Sequence, residues 1–298
     1  MSKQMSLTEA IERFIPDGSI VALGTCLEAA IPFAAGHEII RQHRRDLTLV
    51  GPVSDILFDQ LVGAGCVRRI SAAWVGNMSA GLAHCVRRAV EEGIPAPVEI
   101  RDHSTFSIGL ALLAAGLGAP FIPTRTLMGS DLPLENPDLI ESTNPLNELG
   151  EPILLVRALQ PDVLILHVQR ADVDGHAHYW GPLGVTREAV LAARRIIITA
   201  EEIVPRETLL RDPNRIVAPA HKVAAVVHLP GGAHPSPLYG YYDRDHAFFE
   251  EYDARTRTVE GFEAWLREWV LDTPDRNAYL QRLGEARWQA LQLARTQA

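Results

Sequence analysis

The chain has little cysteine, no basic run and no long apolar run. Its three cysteines, Cys26, Cys66 and Cys85, are an odd number without CxxC or CxxxC spacing. That argues against a disulfide framework or a thiolate zinc cluster and points to a reducing, cytoplasmic setting. No apolar stretch approaches the ~20 residues that a membrane span needs. The first residues, Met1-Ser-Lys-Gln-Met-Ser6, lack the apolar core of a signal peptide. Net charge is −9, so neither nucleic acid nor a membrane is an expected partner. The GxGxxG, GxxxxGK[ST] and GxSxG patterns are missing as well, so the sequence meets none of the dinucleotide, P-loop or hydrolase-elbow signatures.

What is there reads as an α/β protein. A length of 298 residues, 47% of them hydrophobic, suits one large domain spanning 1–298. Short apolar runs alternate with helical patterns. Ser6 is placed to cap a helix with Glu9 three residues on. Residues 19–23, 46–50, 67–75 and 98–100 read as strands, with helices at 32–43, 55–62, 80–93 and 106–117 between or after them. The runs Asp162-Val-Leu-Ile-Leu-His-Val168, Arg195-Ile-Ile-Ile-Thr199 and Val223-Ala-Ala-Val-Val-His228 are continuous rather than alternating. Strands buried on both faces have this character. The expected fold class is therefore an open, doubly wound, mostly parallel sheet with helices on both faces and with sites at the carboxyl ends of its strands. Residues 131–152, rich in proline, are expected to form an irregular loop, and 261–298 to form C-terminal helices split at Asp272-Thr-Pro274.

Candidate chemistry sits in the loops. Gly24-Thr25-Cys26 lies between a strand and a helix, where backbone N–H groups can meet an anion or simply make a tight turn. Nothing in the sequence places a base beside Cys26. Asn77, in Gly76-Asn-Met-Ser79, either offers its amide to a substrate carboxylate or holds a turn. His103 and Ser104 precede an apolar helix; Ser104 is a natural N-cap, and both residues can also face a ligand. Asp172-Val-Asp-Gly-His-Ala-His178 offers metal-ligand residue types, but its spacing matches no zinc or calcium loop. The reading is that the aspartates cap turns around Gly175 and the histidines lie at the surface. No metal is expected.

Three Gly/Pro-rich stretches carry a family resemblance: Pro120-Phe-Ile-Pro-Thr-Arg-Thr-Leu-Met-Gly-Ser-Asp131, Ala171-Asp-Val-Asp-Gly-His-Ala-His-Tyr-Trp-Gly181 and Pro230-Gly-Gly-Ala-His-Pro235. With Leu7-Thr-Glu-Ala-Ile11, Leu117-Gly-Ala-Pro-Phe121, Glu201-Glu-Ile203 and Tyr279-Leu-Gln-Arg-Leu-Gly284, they make the whole chain resemble the A subunit of the class I coenzyme A transferases, of the glutaconate CoA-transferase type. The resemblance implies a partner, the B subunit, and substrates that are an acyl-CoA and a carboxylic acid. The coenzyme A thioester is then a substrate and no cofactor is needed. It also implies a ping-pong reaction whose nucleophilic glutamate belongs to the B subunit, so that this chain holds no catalytic nucleophile. By the same resemblance, Asn77 falls where the family has a small polar residue facing the acid, and Ser104 matches a serine in the strand-end loop. Gly24-Thr25-Cys26 stands in place of a Gly-Gly-Phe loop, a departure that points away from glutaconate itself. Leu134-Glu-Asn-Pro137 is similar to the Glu-Asn-Gly neighbourhood of the nucleophile, but its proline argues against that role. Related subunits of ring-opening CoA-thioester hydrolases carry a Glu where this chain has Asp102-His-Ser-Thr105, which favours transfer over hydrolysis. A third reading, a non-catalytic effector-binding module, predicts an attached helix-turn-helix, and neither end of the sequence reads as one.

Overall fold

The computed structural model describes residues 2–293 of the chain. Its strands are β1 Ile20–Ala22, β2 Leu47–Val50, β3 Val67–Ala72, β4 Glu99–Asp102, β5 Phe121–Thr124, β6 Leu139–Thr143, β7 Pro152–Arg157, β8 Val163–Ala171, β9 Ala177–His178, β10 Arg195–Ile203 and β11 Val223–His228. Among the described residues the main sheet runs β11-β10-β8-β1-β2-β3-β4, with β9 hairpinned on β8. Every pairing along that order is parallel. The helices are α1 Leu7–Phe14, α2 Phe33–Arg41, α3 Asp55–Gly63, α4 His84–Glu91, α5 Thr105–Leu117, α6 Leu132–Glu135, α7 Thr186–Ala192, α8 Arg206–Leu210, α9 His246–Arg255, α10 Val259–Leu266, α11 Arg276–Leu283 and α12 Glu285–Leu291.

Strand alternation explains the unbroken apolar runs. In β8, Val163 and Ile165 enter one core, while Leu164, Leu166 and Val168 enter the other. In β10, Ile197 joins the first core, and Ile196 and Ile198 join the second. Side chains of successive strand residues point to opposite faces, so a sheet covered on both sides favours apolar residues at every position. The polar ones it buries pair with each other, as His167 Nδ1 does with Thr199 Oγ1 at 2.9 Å. The first core takes side chains from α1 to α4 and α9 to α11, and the second takes them from α5 and α7. None of the described helices is long and apolar enough to cross a membrane.

Local signals set the helix ends. Ser6 Oγ accepts the Glu9 N–H at 3.1 Å and opens α1. Ser104 and Ser107 form a reciprocal capping box at α5, with N–H to Oγ distances of 3.0 and 2.9 Å. Gly118, left-handed at φ 70°, closes the same helix. Ahead of α1, residues 3–5 run beside β11: Met5 N–H donates to Val226 O at 3.1 Å, and Val226 N–H donates to Lys3 O at 2.9 Å.

Two expectations need correction. Residues 131–152 are not irregular throughout. They contain α6 and β6, and β6 pairs antiparallel with β7, whose other neighbour is β5. This small sheet packs on α5 through Ala111, Leu139 and Val156. The last helical stretch is broken at Gly284, whose φ of 91° cannot continue α11 and starts α12 instead.

Candidate functional site

Loops after β1, β2, β3 and β4 gather at one end of the sheet. The turn after β1 is tight. Gly24 has φ 62°, and a Cβ there would collide with Ser54 Oγ and lie 2.7 Å from Val53 O. Leu27, Ala30 and Asp55 are non-glycine residues with φ of 65°, 54° and 48°. Leu27 and Ala30 sit in the loop following β1, and Asp55 is the first residue of α3, after the loop following β2. Left-handed backbone of this kind persists only where the surroundings over-determine it, and it concentrates at ligand sites.

The surroundings are visible. Thr25 Oγ1 lies 2.9 Å from Thr186 Oγ1, and Cys26 Sγ lies 3.2 Å from the same hydroxyl. Val185 N–H donates to Thr25 O at 2.9 Å, and Ala30 N–H donates to Pro237 O at 2.9 Å. Ser236 Oγ donates to the carbonyl of Glu28. Thr25 and Cys26 are buried. Burial raises the Cys26 thiol above its ordinary value despite hydrogen bonds from Thr186 and Tyr179. A buried thiol held protonated is a poor nucleophile.

The structure brings Gly24-Thr25-Cys26 close to the α5 start through residues 184–186. Thr105, Phe106, Gly109 and Leu110 of α5 face Gly184 and Val185 across a groove of about 390 Å³. Ser104 is half-buried at its cap. His103 is buried, with Nδ1 3.2 Å from Ser107 Oγ. Burial pulls the His103 imidazole down to about 4, against the opposing charge of Asp138. His103 therefore stays neutral at physiological pH and braces the helix start.

Asn77 does not present its amide to this face. It is fully buried, its Nδ2 donates to Phe249 O at 2.8 Å, and its Oδ1 accepts the Ser79 and Ala80 N–H groups at 3.0 and 3.1 Å. The turn needs three hydrogen bonds, and the Asn77 side chain supplies them. Beside it lies a pair that no sequence signal announces. Arg244 Nη2 donates to Asp55 Oδ2 at 2.7 Å, and Asp55 Oδ1 accepts the Met78 N–H at 3.2 Å. Burial pushes the Asp55 carboxyl up, while Arg244 holds it down. The Arg244 guanidinium stacks 3.7 Å from the Phe249 ring centroid. A cavity of about 470 Å³ opens beside it, lined by Tyr239, Tyr242, Asp243, Arg244 and His246 among others.

The Gly231–Pro235 stretch is held by a second network that the sequence does not reveal. His167 Nε2 meets Glu201 Oε1 at 2.8 Å, Tyr242 Oη donates to the same oxygen at 2.8 Å, and Gly231 N–H donates to both carboxylate oxygens at 2.9 Å. Burial disfavours the Glu201 carboxylate, but the His167 hydrogen bond and charge, with Gly231 and Tyr242, outweigh it and hold the group below its ordinary value. His234 bridges Tyr279 Oη at 2.9 Å and Asp245 Oδ2 at 3.0 Å. The glycines and His234 stand out in the sequence, but their partners lie far along the chain.

In the Asp172–His178 hairpin the capping reading holds for Asp172, whose Oδ1 accepts the N–H groups of Asp174, Gly175 and His176 at 2.9, 2.8 and 3.0 Å. The expected surface histidines need correction. His178 is buried and meets Leu209 O at 2.8 Å, because β9 pairs it against β8, and His176 is half-buried against Asp172 Oδ2 at 2.8 Å. Among the described residues no group of three His, Cys, Asp or Glu side chains converges as a metal site. Asn136, in the Leu134–Pro137 stretch, is buried and donates to Asp102 O at 2.7 Å.

Known proteins agree with this geometry. The family model described as Coenzyme A transferase matches residues 4–229. The A subunit of 3-oxoadipate CoA-transferase from Pseudomonas knackmussii is 42% identical over 96% of this chain and 100% of its own length. The A subunit of glutaconate CoA-transferase from Acidaminococcus fermentans is 35% identical over 96% of this chain and 93% of its own. The crystal structure of glutaconate coenzyme A-transferase from that organism superposes with a TM-score of 0.91, at 34% identity over 98% of this chain and 96% of that one. The family model over most of the chain, with relatives 42% and 35% identical over 96% of it, places the chain in the coenzyme A transferase family.

Proposed function

We propose that this chain is the A subunit of a two-subunit CoA-transferase that, together with a B subunit, moves CoA from an acyl-CoA to a carboxylic acid. The observation that carries the reading is the likeness to A subunits of two such enzymes, over nearly the full length of each. Exposed apolar side chains at the loop ends support the need for a partner: Trp74, Met78, Leu82 and Phe106 are 37%, 44%, 51% and 58% exposed around the ends of β3 and β4. Such a fringe on a folded domain marks an interaction surface.

In this proposal a glutamate carboxylate from the B subunit's active-site loop attacks the thioester carbonyl, and the CoA thiolate leaves to give a mixed anhydride. The thiolate returns to the glutamyl carbonyl, releasing the first acid and leaving a glutamyl-CoA thioester. The acceptor acid then takes the CoA through the reverse sequence, so atoms and charge balance without an added cofactor. This chain contributes shape. Gly24, Thr25 and Cys26 set the wall of the acyl pocket, and their side chains differ from a Gly-Gly-Phe loop, which points to an acid other than glutaconate. Ser104 and the positive end of α5 border the acid carboxylate. His103 and Asn77 act from beneath, by fixing the loops.

The test is to co-express the chain with its B-type partner, purify the complex and assay CoA exchange from acetyl-CoA to a panel of mono- and dicarboxylic acids. Exchange by the complex and none by the isolated chain is the expected result. CoA release into water without an acceptor would move the reading to a thioester hydrolase. Full activity of the isolated chain would overturn the division between the subunits.

A further inference from the structure

Both left-handed non-glycine residues in the loop after β1 stand next to hydrogen bonds sent from far along the chain. Leu27, at φ 65°, lies between Cys26, whose Sγ meets Thr186 Oγ1 at 3.2 Å, and Glu28, whose carbonyl accepts from Ser236 Oγ. Ala30, at φ 54°, donates its N–H to Pro237 O at 2.9 Å, and the next N–H, that of Ile31, meets Ser236 Oγ at 3.4 Å. Thr186 Oγ1 also meets Thr25 Oγ1 at 2.9 Å. Nearby, Gly184 approaches so closely that a Cβ there would lie 2.3 Å from Thr25 O. Two hydroxyls from separate segments of the chain thus grip one loop.

Neither hydroxyl serves its own element. Thr186 is the first residue of α7, a helix without a side-chain cap, and its oxygen goes to the loop instead. Ser236 bonds to residues 208 and 205 positions away. Both side chains are fully buried. The base under Ser236 is held as well. Tyr242 Oη accepts the Ala233 N–H at 3.1 Å, Arg276 Nε donates to Gly231 O at 2.8 Å, and Arg276 Nη2 donates to His234 O at 2.7 Å. A loop whose only task is to join β1 to α2 needs no left-handed leucine or alanine. Such backbone is costly and stores strain where the fold holds it in place. Of residues 24–31, only Leu27 and Glu28 reach the surface. The gripped segment therefore presents a two-residue tip at the carboxyl ends of the strands, where sites of this fold class lie.

We propose that Thr186 and Ser236 are positioning residues for CoA transfer. Their hydroxyls hold the loop after β1 in its left-handed form, and the rate of transfer depends on that form because it fixes the Leu27–Glu28 tip against the reacting acyl group. The proposal rests on the CoA-transferase reading of the chain.

The test compares Thr186→Val, which keeps the shape and removes the hydroxyl, with Thr186→Ser, which keeps the hydroxyl, with Ser236→Ala, and with the Thr186→Val/Ser236→Ala double variant. In the isolated chain, a thiol-specific disulfide reagent reports on the loop through Cys26. Cys66 and Cys85, also buried, are the internal controls. In the double variant Cys26 is expected to react about tenfold or more faster than the other two, because local opening takes less free energy than global unfolding. In the complex with the B subunit, kcat for CoA exchange is expected to fall by about tenfold in the double variant. KM for the acyl-CoA should stay within about twofold, and Thr186→Ser should keep the wild-type kcat. If all three thiols open together, the hydroxyls hold the whole fold and the proposal is overturned. A wild-type kcat in the double variant overturns it too, and so does a loss of kcat while Cys26 stays as protected as in wild type. A wild-type complex that exchanges no CoA would sink the CoA-transferase reading instead, and Cys26 reactivity would still decide whether the two hydroxyls hold the loop.

Discussion

Arg244 and Asp55, 189 positions apart in sequence, form an ion pair at 2.7 Å whose members are 9% and 0% exposed at the side chain. The pair ties the strained entry to α3 to the segment before α9. It sits against Asn77, Met78 and Ser79, so three loops share one electrostatic anchor.

Removing the cation alone leaves Asp55 buried and unpaired. Arg244→Met is expected to destabilise the chain by about 3–5 kcal/mol, the range seen when one member of a buried pair is lost. Asp55→Asn in the same background should recover part of that loss, since Asn tolerates the left-handed backbone and still accepts from Met78. Urea midpoints of the two singles and the double close the cycle. Additive losses would mean that the two side chains are not coupled.

The three thiols are expected to be silent in the folded chain. Cys26, Cys66 and Cys85 are all buried, and burial raises each of them, Cys66 to about 12. A thiol-specific disulfide reagent should therefore find none in the native state and three after denaturation. Cys26→Ala should keep CoA exchange in the complex within a few-fold of wild type. Stoichiometric modification of native Cys26, accompanied by loss of exchange, would give it a chemical role after all.

Acid should weaken the fold partly through His103. Its folded value of about 4 lies below the ordinary 6.5. As pH falls, the unfolded chain takes the proton first, so the stability this residue allows at pH 7 is lost between 6.5 and 4, by up to about 3 kcal/mol. His234, also at about 4 through burial, acts in the same window. Asp55 and Asp59, raised by burial, act with the opposite sign and offset part of the loss. His103→Gln should therefore show a smaller drop in urea midpoint from pH 7 to pH 4.5 than wild type. An unchanged drop would show that His103 titrates normally in the fold.

The parallel sheet was legible because two-sided burial writes itself into the chain as unbroken Val/Ile/Leu runs, as in residues 163–168. The caps at Ser6 and Ser104 were legible because a helix end is a local event. The small sheet was not. Pro152 reads as a breaker, yet it is the first residue of β7, where a strand tolerates proline. Most of β6 is exposed, so its alternation is weak. The site was legible in outline only. Gly24 and the Gly231–Pro235 stretch announce themselves through backbone need. Which way Asn77 turns, and what pairs with Asp55, Glu201 or Arg276, depends on residues brought together only by the completed fold.

The two flanks of the main sheet are closed by different means. Residues 3–5 lie along β11 and occupy the N–H and C=O of Val226 at its outer edge. At the opposite flank, Glu99 is bound by Arg69 at 2.6 Å and by Arg101, while Asn136 occupies the Asp102 carbonyl. Charged side chains and covered edges discourage a stray strand from adding on. Lateral stacking into fibres is thus discouraged at both flanks, so that a sticky crown of Trp74, Met78, Leu82 and Phe106 can serve a companion with less risk of self-aggregation along the sheet.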